Sequence, residues 1–137
     1  QAAMGLLQLK HVGDVMSRRR EIDGQYRQRL RLVPGIRCLD LPEGATPNHS
    51  YFPVFIGPEY PVSRDALYEH LKLCGIHGRR YFYPLISDFP MYRGLPSAVR
   101  ANLPVAHALA SQVLCLPIYP GLQVKEVERI LSVLEHP

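Results

Sequence analysis

The chain has 137 residues, 47% of them hydrophobic and 20% charged, which suits one soluble globular domain with a real core. No apolar run approaches the roughly 20 residues that span a bilayer, and no secretory leader pattern opens the chain, so the reading is cytoplasmic with no membrane contact. The net charge of +4 is local: residues 1–31 carry seven basic and three acidic residues, and residues 32–137 carry nine of each. A basic excess confined to one helix is not a nucleic-acid patch spread over a fold.

Residues 1–32 read as one long helix. Leu6, Leu9, Val12, Met16, Ile22, Tyr26 and Leu30 recur at helical spacing, with one gap at Arg19. Asp14 with Arg18, and Asp23 with Arg27, are acid-before-base pairs one turn apart. The pattern begins without a capping residue, which suggests a piece cut from inside a helix of a longer protein. Val33-Pro34-Gly35 ends that helix, and Ile36 to Leu39 is a short strand. Asp40 to Asn48, with two prolines and a glycine, is loop. His49 to Ile56 is a strand in which Pro53 lacks a donor and requires an edge or a bulge.

The next helix is well signed. Ser63 is its N-cap, Val62 and Leu67 form a hydrophobic staple, and Gly75 with Ile76 completes a Schellman end after Cys74. A strand from Arg79 to Tyr83 follows. Alternation sets Arg79, Tyr81 and Tyr83 on one face and Arg80 and Phe82 on the other. Either this is an edge strand whose polar ends reach water, or it is a surface for an anionic ligand that carries a ring. In the first case one arginine makes a structural ion pair and Phe82 is core. Pro84 to Asn102 lacks periodicity; its length points to an ordered binding loop anchored by Phe89, Met91 and Tyr92. Pro104 to Gln112 is a short helix and Val113 to Ile118 a buried strand. Val124, Val127, Ile130, Leu131 and Leu134 stripe a last helix. The order helix, strand, strand, helix, strand, helix, strand, helix predicts an α/β (α+β) layer, a small, mostly antiparallel sheet with helices packed on it.

Cys38, Cys74 and Cys115 are odd in number and widely spaced, and read as reduced core thiols; the six histidines form no metal-ligand spacing, so no metal is proposed.

Several spaced motifs carry a resemblance. Gln1-Ala2-Ala3-Met4-Gly5 with Gln8-Leu9 resembles the Q-A-A-x-G-x-x-Q-L run of the DegT/DnrJ/StrS aminotransferases, enzymes that use pyridoxal 5'-phosphate to aminate nucleotide-linked sugars. Arg64-Asp65-Ala66-Leu67 through Gly75-Ile76 is similar to the family's R-D-x-L helix. Arg80-Tyr81-Phe82-Tyr83-Pro84-Leu85 stands where many members have y-x-P-L-H. Leu103-Pro104-Val105-Ala106 and Leu114-Cys115-Leu116-Pro117-Ile118-Tyr119-Pro120 resemble its L-P-x-A-E and L-x-L-P-x-y-P blocks. Ile86 replaces the frequent histidine, and His107 the usual glutamate.

The resemblance implies the C-terminal small domain of a fold-type I aminotransferase. Residues 1–32 are then the helix joining a large domain, and 33–137 a substrate-side domain forming one compact unit with that helix. It implies a homodimer, a nucleotide-linked ketosugar, an amino-acid donor, and a cofactor lysine upstream. Lys10, Lys72 and Lys125 lie on exposed helix faces by pattern, so the chain alone is expected to be inactive. Arg79, Arg80, Tyr81 and Tyr83 are the substrate-site candidates, because a sugar diphosphate needs donors and a stacking face together. The competing reading is a free-standing nucleotide or single-stranded RNA module whose Arg, Tyr and Phe stack bases.

Overall fold

The computed structural model describes residues 2–137. Helix α1 spans Ala2–Leu30, and strands β1 (Ile36–Cys38) and β2 (Phe52–Ile56) follow. Then come α2 (Arg64–Leu73), α3 (Pro104–Gln112), β3 (Val113–Leu116) and α4 (Val124–Glu135). Both strand pairs are antiparallel, in the order β1-β2-β3. The fold is the expected small antiparallel sheet with helices.

Register decides which side chains go where. Phe52, Val54 and Ile56 of β2 lie opposite or beside Leu114, Leu116 and Ile36, and all enter the main core. On that face pack Ile22, Tyr26 and Leu30 of α1, Leu67 and Leu71 of α2, and Val127, Ile130, Leu131 and Leu134 of α4. Pro53, Phe55, Val113 and Cys115 point the other way. Part of that face looks onto an apolar cavity of about 300 Å³ lined also by Tyr81, Phe82 and Ala110. Pro53 is accommodated as its missing donor requires: β1 stops opposite Val54, so at Pro53 the strand has only β3 as a neighbour.

Local chemistry sets α2. Ser63 Oγ accepts the Ala66 amide at 3.2 Å. At the other end Gly75 takes φ +71°, Ile76 N–H donates to Leu71 O at 2.8 Å and Gly75 N–H to Lys72 O at 2.9 Å, the two bonds of a Schellman end.

Four expectations change. The apolar stripe of α1 is buried only from Ile22 onward; Leu6, Leu9 and Val12 are 46–65% exposed, because the helix runs past the end of the sheet. Val124 of α4 is exposed. Met91, 72% exposed, does not anchor its loop, and Phe89 and Tyr92 are only partly covered, at 36% and 41% exposed. The path from 84 to 102 is instead set by three short 3₁₀ turns, Ile86–Asp88, Pro96–Ala98 and Arg100–Asn102.

The fourth change matters most. There is no strand from Arg79 to Tyr83. Arg79 and Cys115 exchange backbone bonds of 2.9 and 2.8 Å, and pairing stops there. In that register the next bonded pair would join Tyr81 to Val113. The Val113 carbonyl is already taken: buried Arg64 donates to it from Nη1 at 2.8 Å. A guanidinium from the first turn of α2 occupies the place of the next ladder bond, and the chain turns away at Tyr81-Phe82. Phe82 is 68% exposed, so it is not core.

Candidate functional site

With the strand gone, Arg79, Arg80, Tyr81 and Tyr83 are divided by environment. Arg80 leans onto α2. Its Nη1 lies 3.2 Å from Asp65 Oδ1, and its guanidinium sits between the rings of Tyr68 at 4.6 Å and Tyr83 at 4.4 Å. The guanidinium of Arg64 lies 5.2 Å from the same Tyr83 ring. Arg64 Nε is 3.0 Å from Asp65 Oδ1 but misaligned to donate, so that contact is one of charge rather than a hydrogen bond. The first turn of α2 therefore positions Arg80 and Tyr83 through Arg64 and Asp65.

Tyr81 turns toward the sheet. Its ring packs at 5.0 Å from Tyr51 and stacks at 4.0 Å on Phe82, giving a row of three rings. Arg79 faces a groove of about 300 Å³ lined by Arg19, Ser50, Tyr51, His77 and Tyr119, with β3 and the segment after it as floor. Its side chain makes no hydrogen bond or ion pair among the described residues. The groove carries two arginines, and no carboxylate lines it.

Arg19 is the residue that sequence reasoning missed. Its signal was there, as the single gap in the apolar stripe of α1. Arg19 lines the groove, and its Nε is buried without a partner among the described residues. The groove floor is tied to α1: Tyr26 Oη donates to Pro117 O at 2.8 Å, and Arg18 Nη2 to Leu122 O at 2.7 Å. Burial raises the Tyr26 hydroxyl above the ordinary tyrosine range, so it stays a donor.

A family model for the DegT/DnrJ/EryC1/StrS aminotransferases matches residues 1–135. The chain belongs to that family. It is 48% identical over 133 residues to dTDP-4-amino-4,6-dideoxy-D-glucose transaminase of Escherichia coli, covering 97% of this chain and 36% of that protein. Identity to the Shigella dysenteriae enzyme of the same name is 40%, with 97% and 36% covered. Among solved structures, DesI in the presence of its TDP-sugar product superposes with a TM-score of 0.88 at 34% identity, over 98% of this chain and 34% of that one. Helicobacter pylori PseC, at 22% identity and a TM-score of 0.84, shares the fold. The chain thus spans about a third of the length of the relatives it matches.

Membership in the family implies pyridoxal 5'-phosphate in the full-length enzymes. The residues in hand do not fit that group. Lys10, Lys72 and Lys125 are all exposed on helices, and none has the desolvated setting of a nucleophilic lysine. No group of three His, Cys, Asp or Glu among the described residues could hold a metal ion. Cys38, Cys74 and Cys115 are free thiols; burial raises Cys38 and pushes Cys115 up to about 11, which keeps both protonated and unreactive at neutral pH. No helix among the described residues is long and apolar enough to cross a membrane.

Proposed function

We propose that this chain is the substrate-side part of a pyridoxal-dependent aminotransferase that aminates a nucleotide-linked ketosugar. In this reading Arg79, Arg80, Tyr81 and Tyr83 form one wall of the sugar-nucleotide cleft. The observation that carries it is the groove lined by Arg19 and Arg79, where the Arg79 side chain has no partner among the described residues and no carboxylate enters. Two arginines lining one concavity without a carboxylate suit a diphosphate, which accepts several charge-assisted bonds at once. The rings of Tyr51, Tyr81 and Phe82 then offer a stacking face beside the charge. Arg80, already neutralised by Asp65, shapes the wall by holding Tyr83 rather than by adding charge.

The cofactor supplies the electron sink when bound, and its lysine belongs to the length of the relatives that this chain does not span. The donor is an amino acid, the assembly a homodimer, and the compartment the cytoplasm. Family membership lends no support to the alternative of a free-standing nucleotide or single-stranded RNA module.

The test is kinetic and uses the full-length enzyme. Tyr81→Ala, Tyr83→Ala and Arg80→Ala should raise KM for the nucleotide sugar while cofactor absorbance stays at its native stoichiometry. Native KM and kcat in all three variants would make this segment scaffold.

A further inference from the structure

Asp23 and His49 are the acidic and histidine side chains buried most deeply among the described residues, 8% and 7% exposed, and neither belongs to the wall described above. Asp23 sits on α1 with its two oxygens divided: Oδ1 accepts from Arg27 Nε at 2.7 Å, and Oδ2 lies 3.5 Å from His49 Nδ1. Arg27 reaches on from Nη1 to the Leu39 carbonyl at 2.8 Å. One turn of α1 therefore grips both ends of the connection between β1 and β2, Leu39 at its start and His49 at its finish.

His49 is also the one non-glycine residue with positive φ among the described residues, at +49°. That conformation is strained for a side-chain-bearing residue, and it persists where surrounding contacts over-determine it. Its consequence is directional. The chain reverses at His49, Asn48 Oδ1 takes the Ser50 amide at 3.0 Å and the Ser50 hydroxyl at 2.8 Å, and Tyr51 emerges against Tyr81 before β2 begins. Tyr51 lines the groove and is 47% exposed, so its own burial does not fix it.

We propose that Asp23 and His49 are positioning residues: their contact fixes the turn that lays the Tyr51 ring against Tyr81, and Tyr51 completes the groove wall as a contact for the ligand's planar ring. The second half rests on the nucleotide-sugar reading above; the first half does not.

The test uses the full-length enzyme and two variants of it. His49→Asn tolerates the left-handed backbone but is too short to reach the carboxylate. Asp23→Asn keeps shape and removes the charge that both partners face. The first readout is the cross-relaxation peak between the Tyr51 and Tyr81 rings, with the ring-current shift of Tyr51, in aromatic NMR spectra. Thymidine diphosphate is the binding probe. The expected result is a native-like amide spectrum, loss of the inter-ring peak, and probe affinity at least fivefold weaker. An inter-ring peak retained in both folded variants overturns the proposal. Loss of the peak with native affinity overturns the role of Tyr51. Where His49→Asn does not fold, Asp23→Asn decides; loss of fold in both counts against a positioning role. Native full-length enzyme that does not bind thymidine diphosphate sinks the cleft reading of this wall, while the inter-ring peak still judges the Asp23–His49 contact.

Discussion

Arg79 and Arg80 are neighbours with opposite environments, and exchanging each for alanine should produce opposite defects. Arg80 stacks on two tyrosine rings and pairs with Asp65. Each cation–π contact is worth about 0.5–1 kcal/mol at a partly exposed site, and the ion pair about 0.2–1. Ordering a long side chain offsets part of that sum. Arg80→Ala should therefore cost about 1–2 kcal/mol, a drop in Tm of roughly 3–8 °C for a chain of this size. Arg79 holds its backbone pair with Cys115 whatever its side chain, so Arg79→Ala should change stability by less than about 0.5 kcal/mol. For binding the order reverses: Arg79→Ala should weaken thymidine diphosphate about tenfold or more by removing one charge-assisted contact, and Arg80→Ala should weaken it less. Thermal melts and calorimetric titrations on the two variants read both quantities. Equal destabilisation by the two, or a larger binding loss from Arg80→Ala, would refute the division of roles.

Three further outcomes are expected. Gly35 has φ +78° and a Cβ there would collide with the Tyr60 backbone nitrogen, whereas at Gly75 (φ +71°) a Cβ meets only Arg129 Nη2 at 3.8 Å. Gly75→Ala should then cost about 1–2 kcal/mol and Gly35→Ala more than about 3, as measured by urea unfolding. Burial pushes the Cys115 thiol up to about 11, so its contribution is fully present below pH about 9 and disappears as pH climbs through 11, to the extent of about 2–3 kcal/mol. Tyr60, pushed up to about 12, adds to that decline at higher pH. Cys115→Ala should lose less stability between pH 8 and 11 than the native chain; equal slopes would contradict the assignment. Finally, borohydride reduction of the chain mixed with pyridoxal 5'-phosphate should label Lys10, Lys72 and Lys125 only weakly and unselectively, and the mixture should show no transaminase activity. Stoichiometric labelling of one lysine by mass spectrometry would overturn that.

What could be read from the sequence was local. Ser63, Gly75 and Ile76 specify α2 through bonds within a few residues, and each of those bonds is present. The same holds for the buried stripe Val127, Ile130, Leu131 and Leu134 of α4. The strand at Arg79 failed because its cause is remote. Alternating arginines and rings look extended, yet whether they join a sheet depends on a free carbonyl on β3, and Arg64 holds it. The loop anchors held only in part for a related reason: Met91 is apolar, but hydrophobicity does not say that anything lies opposite it. The site was half legible. The four residues proposed as a wall were visible as a cluster of types, and Arg19, which shares the groove with Arg79, as an interruption in a pattern. Tyr51 and His49 had no sequence signal beyond a β-rich neighbourhood.

The guanidinium that ends the ladder at Val113 has a consequence for how this wall can change. From Arg80 through Ser87 no backbone amide donates to another backbone carbonyl among the described residues. The wall hangs from side chains, two arginines laid over tyrosine rings and a carboxylate at the start of α2. Replacing Arg80, Tyr81 or Tyr83 redraws its contour without breaking one bond of the sheet. A lineage can therefore try many contours here at a modest cost in stability, and fold and ligand preference are free to drift apart.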